Sequence, residues 1–167
     1  LRGRFHKCHK RKALAQAYNH MIMPLANRRD KYTQTFWGIR DFEHRFGRRP
    51  EGMWLPETGV DLETLKIMAE LGIRFTILSP YQVQRFRRIG DEQWQEVKPG
   101  GIDTTRPYRV SLGGNQAIYV FFYNGEISQA VAFEKLLANG ERFIGRLLGG
   151  FDGRGASQLI HIATNGE

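Results

Sequence analysis

The sequence lacks most of the features that identify a site at first reading. Its single cysteine, Cys8, excludes a disulfide within the chain and suits a reducing compartment, which predicts a cytoplasmic protein. No apolar run approaches the roughly 20 residues of a membrane-spanning helix. Glycine-rich nucleotide loops and standard Cys/His zinc patterns are also absent. A membrane span is therefore not expected, and any chemistry has to come from less conspicuous residues.

Acidic residues are comparatively few. The chain carries 25 Lys and Arg against 17 Asp and Glu, a formal charge of +8. Such a balance permits nucleic-acid binding, but most of the charge falls at helix ends or in loops, where a solvated surface is the commoner reading, so a nucleic-acid partner is not favoured. The N-terminal His6, Cys8 and His9 fit no zinc spacing and are read as part of a solvated terminus. The basic clusters are Lys7 to Lys12, Arg28-Arg29, Arg45-Arg48-Arg49 and Arg85-Arg87-Arg88.

The length of 167 residues corresponds to about one domain, and 41% apolar residues can bury a core. Leu1 is not an initiator methionine, and the last strand-like run is followed by only four residues. We therefore expect residues 1–167 to be a fragment of one catalytic domain, truncated at both ends. Missing strands would expose sheet edges.

The chain is organised around residues 52–61, Gly-Met-Trp-Leu-Pro-Glu-Thr-Gly-Val-Asp. Met53 to Leu55 read as a buried strand that Pro56 ends. Asp61 is expected to cap the next helix, which leaves Glu57 at the carboxyl end of the strand, where α/β folds place catalytic residues. The alternative is a loop carboxylate that caps the helix or pairs with an arginine.

Strands and helices alternate along the chain. A helix is expected from Asp30, with a buried stripe of Tyr32, Phe36, Ile39, Phe42 and Phe46. Residues 53–78 read as strand, helix and strand, which favours parallel pairing. Residues 81–117 read as an insertion with a small hairpin, followed by a central strand, two helices and a last buried strand over residues 159–163. The pattern predicts an α/β fold with a mainly parallel sheet, either open or part of a barrel.

Polar side chains follow three segments that can end strands, of which the first, Ala13 to Tyr18, reads as a short strand or a helix end. His20 lies in an extended loop before Pro24, and its apolar neighbours suggest a ring that is at least partly buried with a partner. A structural histidine is the commoner reading of such a position. Glu57 follows the second strand, and Asn165 and Glu167 follow the last.

This set resembles glycoside hydrolase family 57, the retaining α-glucan-active enzymes on an incomplete seven-stranded β/α barrel, and in particular its bacterial members with an extra C-terminal domain. The segments that carry the likeness cover nearly the whole chain: Tyr18 to Leu25 looks like the second family signature, Trp54-Leu55-Pro56-Glu57 like the third, and Ala163 to Glu167 like the start of the fourth, with Phe122 to Gly125 also similar. The first signature, a His-x-His-Gln-Pro strand end, and the fifth are absent.

The resemblance implies roles for individual residues. Glu57 would be the nucleophile, and His20 would bind a sugar hydroxyl. Trp54 would lie near the sugar or pack beneath the nucleophile. Asn165 stands where the family carries its general acid/base Asp, and an amide cannot deliver a proton as a carboxylic acid does. Glu167 would share the face of Asn165 if the backbone there is extended.

The resemblance also implies an α-glucan or oligosaccharide substrate and no metal or organic cofactor. Three hypotheses follow: a hydrolase or transglycosylase acting on α-glucans, a carbohydrate-binding homologue that has lost its acid, and a basic nucleic-acid-binding module.

Overall fold

The computed structural model describes residues 13–153 and 157–164 as a mixed α/β protein. No helix among these residues is long and apolar enough to cross a membrane. The α-helices described are α1 (Arg28–Phe46), α2 (Leu62–Glu70), α3 (Gly125–Phe133) and α4 (Gly140–Leu148). The strands described are β1 (Ala15–Gln16), β2 (Met53–Trp54), β3 (Phe75–Leu78), β4 (Arg85–Phe86), β5 (Gln95–Glu96), β6 (Pro107–Gly113) and β7 (Gln116–Phe122).

The chain divides into two compact units, of which the first comprises the residues up to Ile77 together with Arg109–Val120. Its strands β1 and β2 pair in parallel, with Ala15 opposite Met53 and Gln16 opposite Trp54. An isolated parallel bridge joins Gly52 to Phe75 at the start of β3. The predicted strand–helix–strand unit over residues 53–78 is therefore confirmed, including its parallel direction. The apolar core of this unit includes Met23, Met53, Leu55, Met68 and Ile118, all at 0% exposure.

Side-chain caps mark the start of both helices of the first unit, and a glycine marks the end of α1. The Asp61 side chain accepts a hydrogen bond from the Thr64 N–H, so the predicted cap of α2 is confirmed. The cap of α1 is Asn27, whose side chain accepts from the Asp30 N–H, so the expectation that Asp30 opens this helix is wrong by three residues. Gly47 ends α1 in the left-handed conformation that glycine adopts without strain.

The predicted aromatic core stripe on α1 is only half right. Ile39 and Phe42 are buried, but Tyr32 and Phe36 are 46% and 40% exposed and stack on each other with ring centroids 6.2 Å apart. The arc that the helix buries is displaced from the stripe, because it contains polar residues that an apolar pattern does not count. The buried residues of α1 are Lys31, Gln34, Thr35, Gly38, Ile39 and Phe42.

Strand β7 lies between β3 and β6 in a three-stranded sheet. The Tyr119 N–H donates to the Arg74 carbonyl at 2.9 Å, and the Tyr123 N–H donates to the Leu78 carbonyl at 3.3 Å. Because both partners advance in the same direction, β3 and β7 run parallel. The turn between β6 and β7 uses Gly113 at φ 103°, a conformation that other residues rarely adopt.

The second unit comprises Leu78–Tyr108 and the residues from Phe121 onward. Strands β4 and β5 pair antiparallel in it, and the Arg85 and Arg87 guanidinium carbons lie 5.0 and 5.1 Å from the centre of the Trp94 ring. A second, smaller apolar cluster forms around Ile127, Ala130 and Leu136.

The strand predicted over residues 159–163 is not formed in the described structure, and Leu159 is 49% exposed. Its backbone groups bond instead to separate partners: the Leu159 N–H to the Thr105 carbonyl and the Ala163 N–H to the Ser128 hydroxyl. Scattered bonds of this kind hold the segment in place without the regular ladder that defines a strand.

Candidate functional site

Two of the residues singled out from the sequence, His20 and Glu57, are in direct contact. The His20 Nε2 and Glu57 Oε1 atoms are 3.1 Å apart, although 37 residues separate them in the sequence. The side chains are 67% and 62% exposed. The predicted partial burial of His20 is therefore wrong, whereas the need for a partner is met. Because an ionised carboxylate can only accept, this contact requires a proton on Nε2.

Parallel pairing explains why the two residues meet. β1 precedes the His20 loop and β2 precedes Glu57, and the carboxyl ends of parallel neighbours lie at the same sheet edge. Buried Leu55 and Pro56 fix the end of β2, and the chain then turns sharply toward solvent. Glu57 is therefore an exposed carboxylate that directly follows a buried strand end.

The backbone at Glu57 is in a conformation that ordinary residues seldom adopt. Glu57 has φ 53° and Thr58 has φ 54°, both in the left-handed region. Two hydrogen bonds hold the turn, from the Thr58 N–H to Leu55 and from the Gly59 N–H to Pro56, at 3.0 and 2.9 Å. Each such residue is unfavourable by about 1–3 kcal/mol, and strain of this kind concentrates at functional sites.

The His20 and Glu57 loops also pack against each other. A Cβ atom placed on Gly59 would lie 3.2 Å from Ile22 Cγ2 and 3.5 Å from Pro24 Cδ. The first distance is tight and the second is an ordinary contact, so glycine at this position allows the two loops to approach. The apolar segment around His20 therefore contributes to the site through its packing as well as through the imidazole.

Two buried polar residues of α1, which sequence reasoning did not identify, contact the chain on either side of the site. The Asn19 N–H donates to the Gln34 side-chain oxygen at 2.7 Å, next to His20. The Lys31 ammonium donates to Asp61 at 2.5 Å and to Glu63 at 3.0 Å, at the start of α2.

A sequence signal for Lys31 did exist. It follows two arginines in the first turn of a helix, where the helix dipole disfavours cations unless carboxylates compensate. Burial by itself would lower the pKa of Lys31, but the hydrogen bonds to Asp61 and Glu63 outweigh it and raise the pKa. Burial likewise opposes ionisation of Asp61, and its bonds to Lys31 and Thr64 prevail and lower the pKa of its carboxyl. The ammonium is therefore charged where it is buried.

The remaining predicted site residues are placed less directly. Trp54 is half-buried in β2, opposite Gln16. Asn165 and Glu167 lie outside the described residues, as do His6, Cys8 and His9. Within residues 13–153 and 157–164 no group of three or more His, Cys, Asp or Glu side chains could hold a metal ion.

A groove of about 510 Å³ opens between β1 and α1, and neither His20 nor Glu57 lines it. Its lining includes the backbone of β1 and the Asp41 and Arg45 side chains, which pair with each other at 2.8 Å. Its lining extends to Tyr18 and Asn19, the two residues before His20. Because the pair itself lies outside the groove, the site is defined by the two strand ends.

Comparison with solved structures gives the fold. A GH57-type branching enzyme from Pyrococcus horikoshii matches with a TM-score of 0.65 at 20% identity, over 98% of this chain and 39% of that one. An exo-type maltose-forming amylase from a Pyrococcus species matches with 0.67 at 20% identity, over 92% and 24%. A 4-alpha-glucanotransferase from Thermococcus litoralis matches with 0.62 at 15% identity, over 90% and 21%. The chain therefore spans less than half of each of these proteins.

These likenesses confirm the predicted fold class, part of an incomplete seven-stranded β/α barrel. No curated protein sequence matches the chain. Glycosyl hydrolase family 57 matches residues 7–167, which is nearly the whole sequence. The chain belongs to glycosyl hydrolase family 57.

Proposed function

We propose that this chain contributes the nucleophile to the active site of an α-glucan hydrolase or transglycosylase. One observation carries the proposal: an exposed His20–Glu57 pair, 3.1 Å apart, at the ends of two adjacent parallel strands. Membership of the family and the likeness to a branching enzyme, an amylase and a glucanotransferase support the substrate class.

The proposed reaction is a double displacement. The Glu57 carboxylate attacks the anomeric carbon, and the bond from that carbon to the leaving oxygen breaks as a glycosyl-enzyme ester forms. Water or a sugar hydroxyl then attacks the same carbon and releases the carboxylate. A proton has to reach the leaving oxygen in the first step and depart from the acceptor in the second.

His20 and Trp54 complete the proposed sugar contacts. With its Nε2 proton directed at Glu57, the imidazole orients the attacking carboxylate and presents its other edge to a sugar hydroxyl. Trp54 supports the strand beneath the nucleophile and offers its exposed portion to the sugar. Both side chains belong to the first compact unit, as Glu57 does.

Asn165 determines how active this site is. It occupies the position of the family's general acid/base, and its amide N–H groups are too weakly acidic to transfer a proton to the leaving oxygen. General acid–base catalysis contributes about 10²–10⁴-fold, so substrates with poor leaving groups should react slowly. Glu167 lies two residues further on and is proposed to contact substrate rather than to replace the acid.

A substrate whose leaving group needs no proton separates the nucleophile from the acid. α-Maltotriosyl fluoride releases fluoride without protonation, so a working Glu57 should release at least one equivalent per site despite Asn165, with later turnovers limited by the second step. The assay measures fluoride release by the full-length protein. Glu57→Gln should reduce the rate about a thousandfold or more, because it removes the nucleophile while keeping its shape.

The matched control is Glu51→Gln, at the opposite end of the same strand, where the carboxylate is 69% exposed and pairs with Arg74. This change should leave fluoride release within about twofold, as expected for an exposed ion pair. Normal turnover by Glu57→Gln would show that another group attacks the sugar.

The alternative, a carbohydrate-binding homologue, is favoured by the amide at position 165. Asn165→Asp distinguishes the two. A rise of about 10²–10⁴-fold on maltooligosaccharides would identify an enzyme that lacks only its acid. Measurable maltooligosaccharide binding without turnover, both before and after the change and also with the fluoride, would identify the binding protein.

A further inference from the structure

We infer that Lys31 and Gln34 are positioning residues that hold the two halves of the active site, the His20 loop and the Glu57 turn, at a fixed separation. The inference rests on the proposed function, because it assigns a catalytic purpose to the His20–Glu57 contact. Both residues lie on α1, three positions apart and hence on one face of the helix. Both are buried, at 3% and 6% exposure.

Gln34 fixes the His20 half. Its side-chain oxygen accepts from the Asn19 N–H at 2.7 Å, and its backbone carbonyl accepts from the Tyr18 N–H at 3.1 Å. One residue of α1 thus binds the two successive residues immediately before His20. The bond from the Asn19 N–H to the buried Gln34 side chain is partly shielded from water, so it favours the loop arrangement in which it forms.

Lys31 fixes the Glu57 half. Its ammonium bonds to Asp61, the residue that caps α2, and to Glu63 in the first turn of that helix. Asp61 is only four residues beyond Glu57, and the intervening turn contains the left-handed backbone of Glu57 and Thr58. The lysine therefore ties the far end of a strained turn to the same helix face that binds Asn19.

The catalytic pair has no comparable support of its own. Within the part of the chain that the structure describes, the hydrogen bond that the His20 and Glu57 side chains make is the one between them. Both are largely exposed, so their separation depends on where their backbones are held. Gln34 bonds to the backbone beside His20, and Lys31 bonds to the Asp61 side chain beyond Glu57, which makes the helix a clamp across the two loops.

The test uses paired variants of the full-length protein. Gln34→Leu removes the acceptor for Asn19, and Gln34→Glu restores a side-chain oxygen at the same place. Lys31→Met removes the ammonium but keeps a long apolar side chain. Arg28→Met is its control, because Arg28 joins the same two helices through Glu63 and Glu70 at 3.7 and 3.4 Å from an exposed position.

The first measurement does not depend on catalysis. The ring-nitrogen NMR shifts of His20 should change on Glu57→Gln in the parent protein, because the partner of Nε2 changes. In the Gln34→Leu and Lys31→Met backgrounds, the same substitution should change these shifts by less than about half of the change seen in the parent. In the Gln34→Glu and Arg28→Met backgrounds, the change should equal that in the parent. An undiminished change in both of the first two backgrounds would overturn the inference.

The second measurement separates positioning from stability. A misplacement of about 1 Å can lower a rate about a hundredfold, so kcat for α-maltotriosyl fluoride should fall tenfold or more in Gln34→Leu while KM changes little. Gln34→Glu should recover most of the loss. Unchanged kcat in a folded Gln34→Leu variant would assign these residues to stability alone. A parent protein without turnover would refute the proposed function and leave the NMR result to decide the clamp.

Discussion

Gly38 allows α1 to lie directly on β1, and replacing it offers the sharpest test of the packing beneath the site. A Cβ added at Gly38 would lie 2.0 Å from the Gln16 carbonyl oxygen and 3.1 Å from its carbon. Both are backbone atoms, so no side-chain rotation relieves the clash, and helix and strand would have to separate by more than about 1 Å to restore ordinary contact.

The magnitude follows from two opposing effects. Overpacking against an inflexible neighbour is unfavourable by about 1–3 kcal/mol, and the absence of a movable side chain places Gly38→Ala near the upper end. Alanine is preferred over glycine inside a helix by about 0.5–1 kcal/mol. We therefore expect Gly38→Ala to lower the free energy of unfolding by about 2 kcal/mol, measured by urea denaturation.

The matched control is Gly145→Ala in α4, where an added Cβ meets nothing within 4 Å. That change should raise the free energy of unfolding by about 0.5–1 kcal/mol, since only the helix preference remains. If Gly38→Ala proved as stable as the parent, α1 could not lie against Gln16 as described. The described packing of this helix beneath the His20 loop would then need revision.

Two further predictions concern the second unit. Burial lowers the pKa of His161 below its ordinary 6.5, so the unfolded chain binds more protons as the pH falls. The stability from this residue should be complete above about pH 6.5 and decline below it. His161→Phe should flatten that dependence in urea denaturation between pH 5 and 7.5. An unaltered slope would show that His161 is not the group responsible. Lys135 has φ 53°, a left-handed conformation that is unfavourable by about 1 kcal/mol for a residue with a Cβ atom. Lys135→Gly removes this cost and should raise the thermal midpoint; a lower midpoint would contradict that conformation.

The sequence predicted the strand ends better than it predicted the helix faces. Pro56 and the Asp61 cap are local signals, and each placed Glu57 correctly at the end of β2. The parallel pairing of β1 and β2 brings His20 to Glu57. The segment before His20 is too short for its pattern to distinguish a strand from a helix end, so the sequence placed both residues at one hollow without predicting their contact.

The face that α1 buries was not accessible in this way. An apolar stripe predicted burial of Tyr32 and Phe36, but the helix is rotated so that Lys31 and Gln34 face inward instead. Periodicity locates an apolar arc and contains no information on buried polar partners, which lie about 15 and 30 residues away in sequence. The last segment failed for a related reason, because the partners of its backbone groups are distributed over separate elements.

The departures from local rules share one location in the first unit. Buried polar groups on α1 and left-handed backbone at Glu57 are each unfavourable alone, and neither is required by a β/α unit. They occur together where the His20 and Glu57 loops meet, and the hydrogen bonds of Lys31 and Gln34 connect them. Proteins depart from such rules chiefly at functional sites, where the surrounding structure compensates. The concentration of these features around an exposed carboxylate supports a reactive Glu57 independently of any sequence likeness.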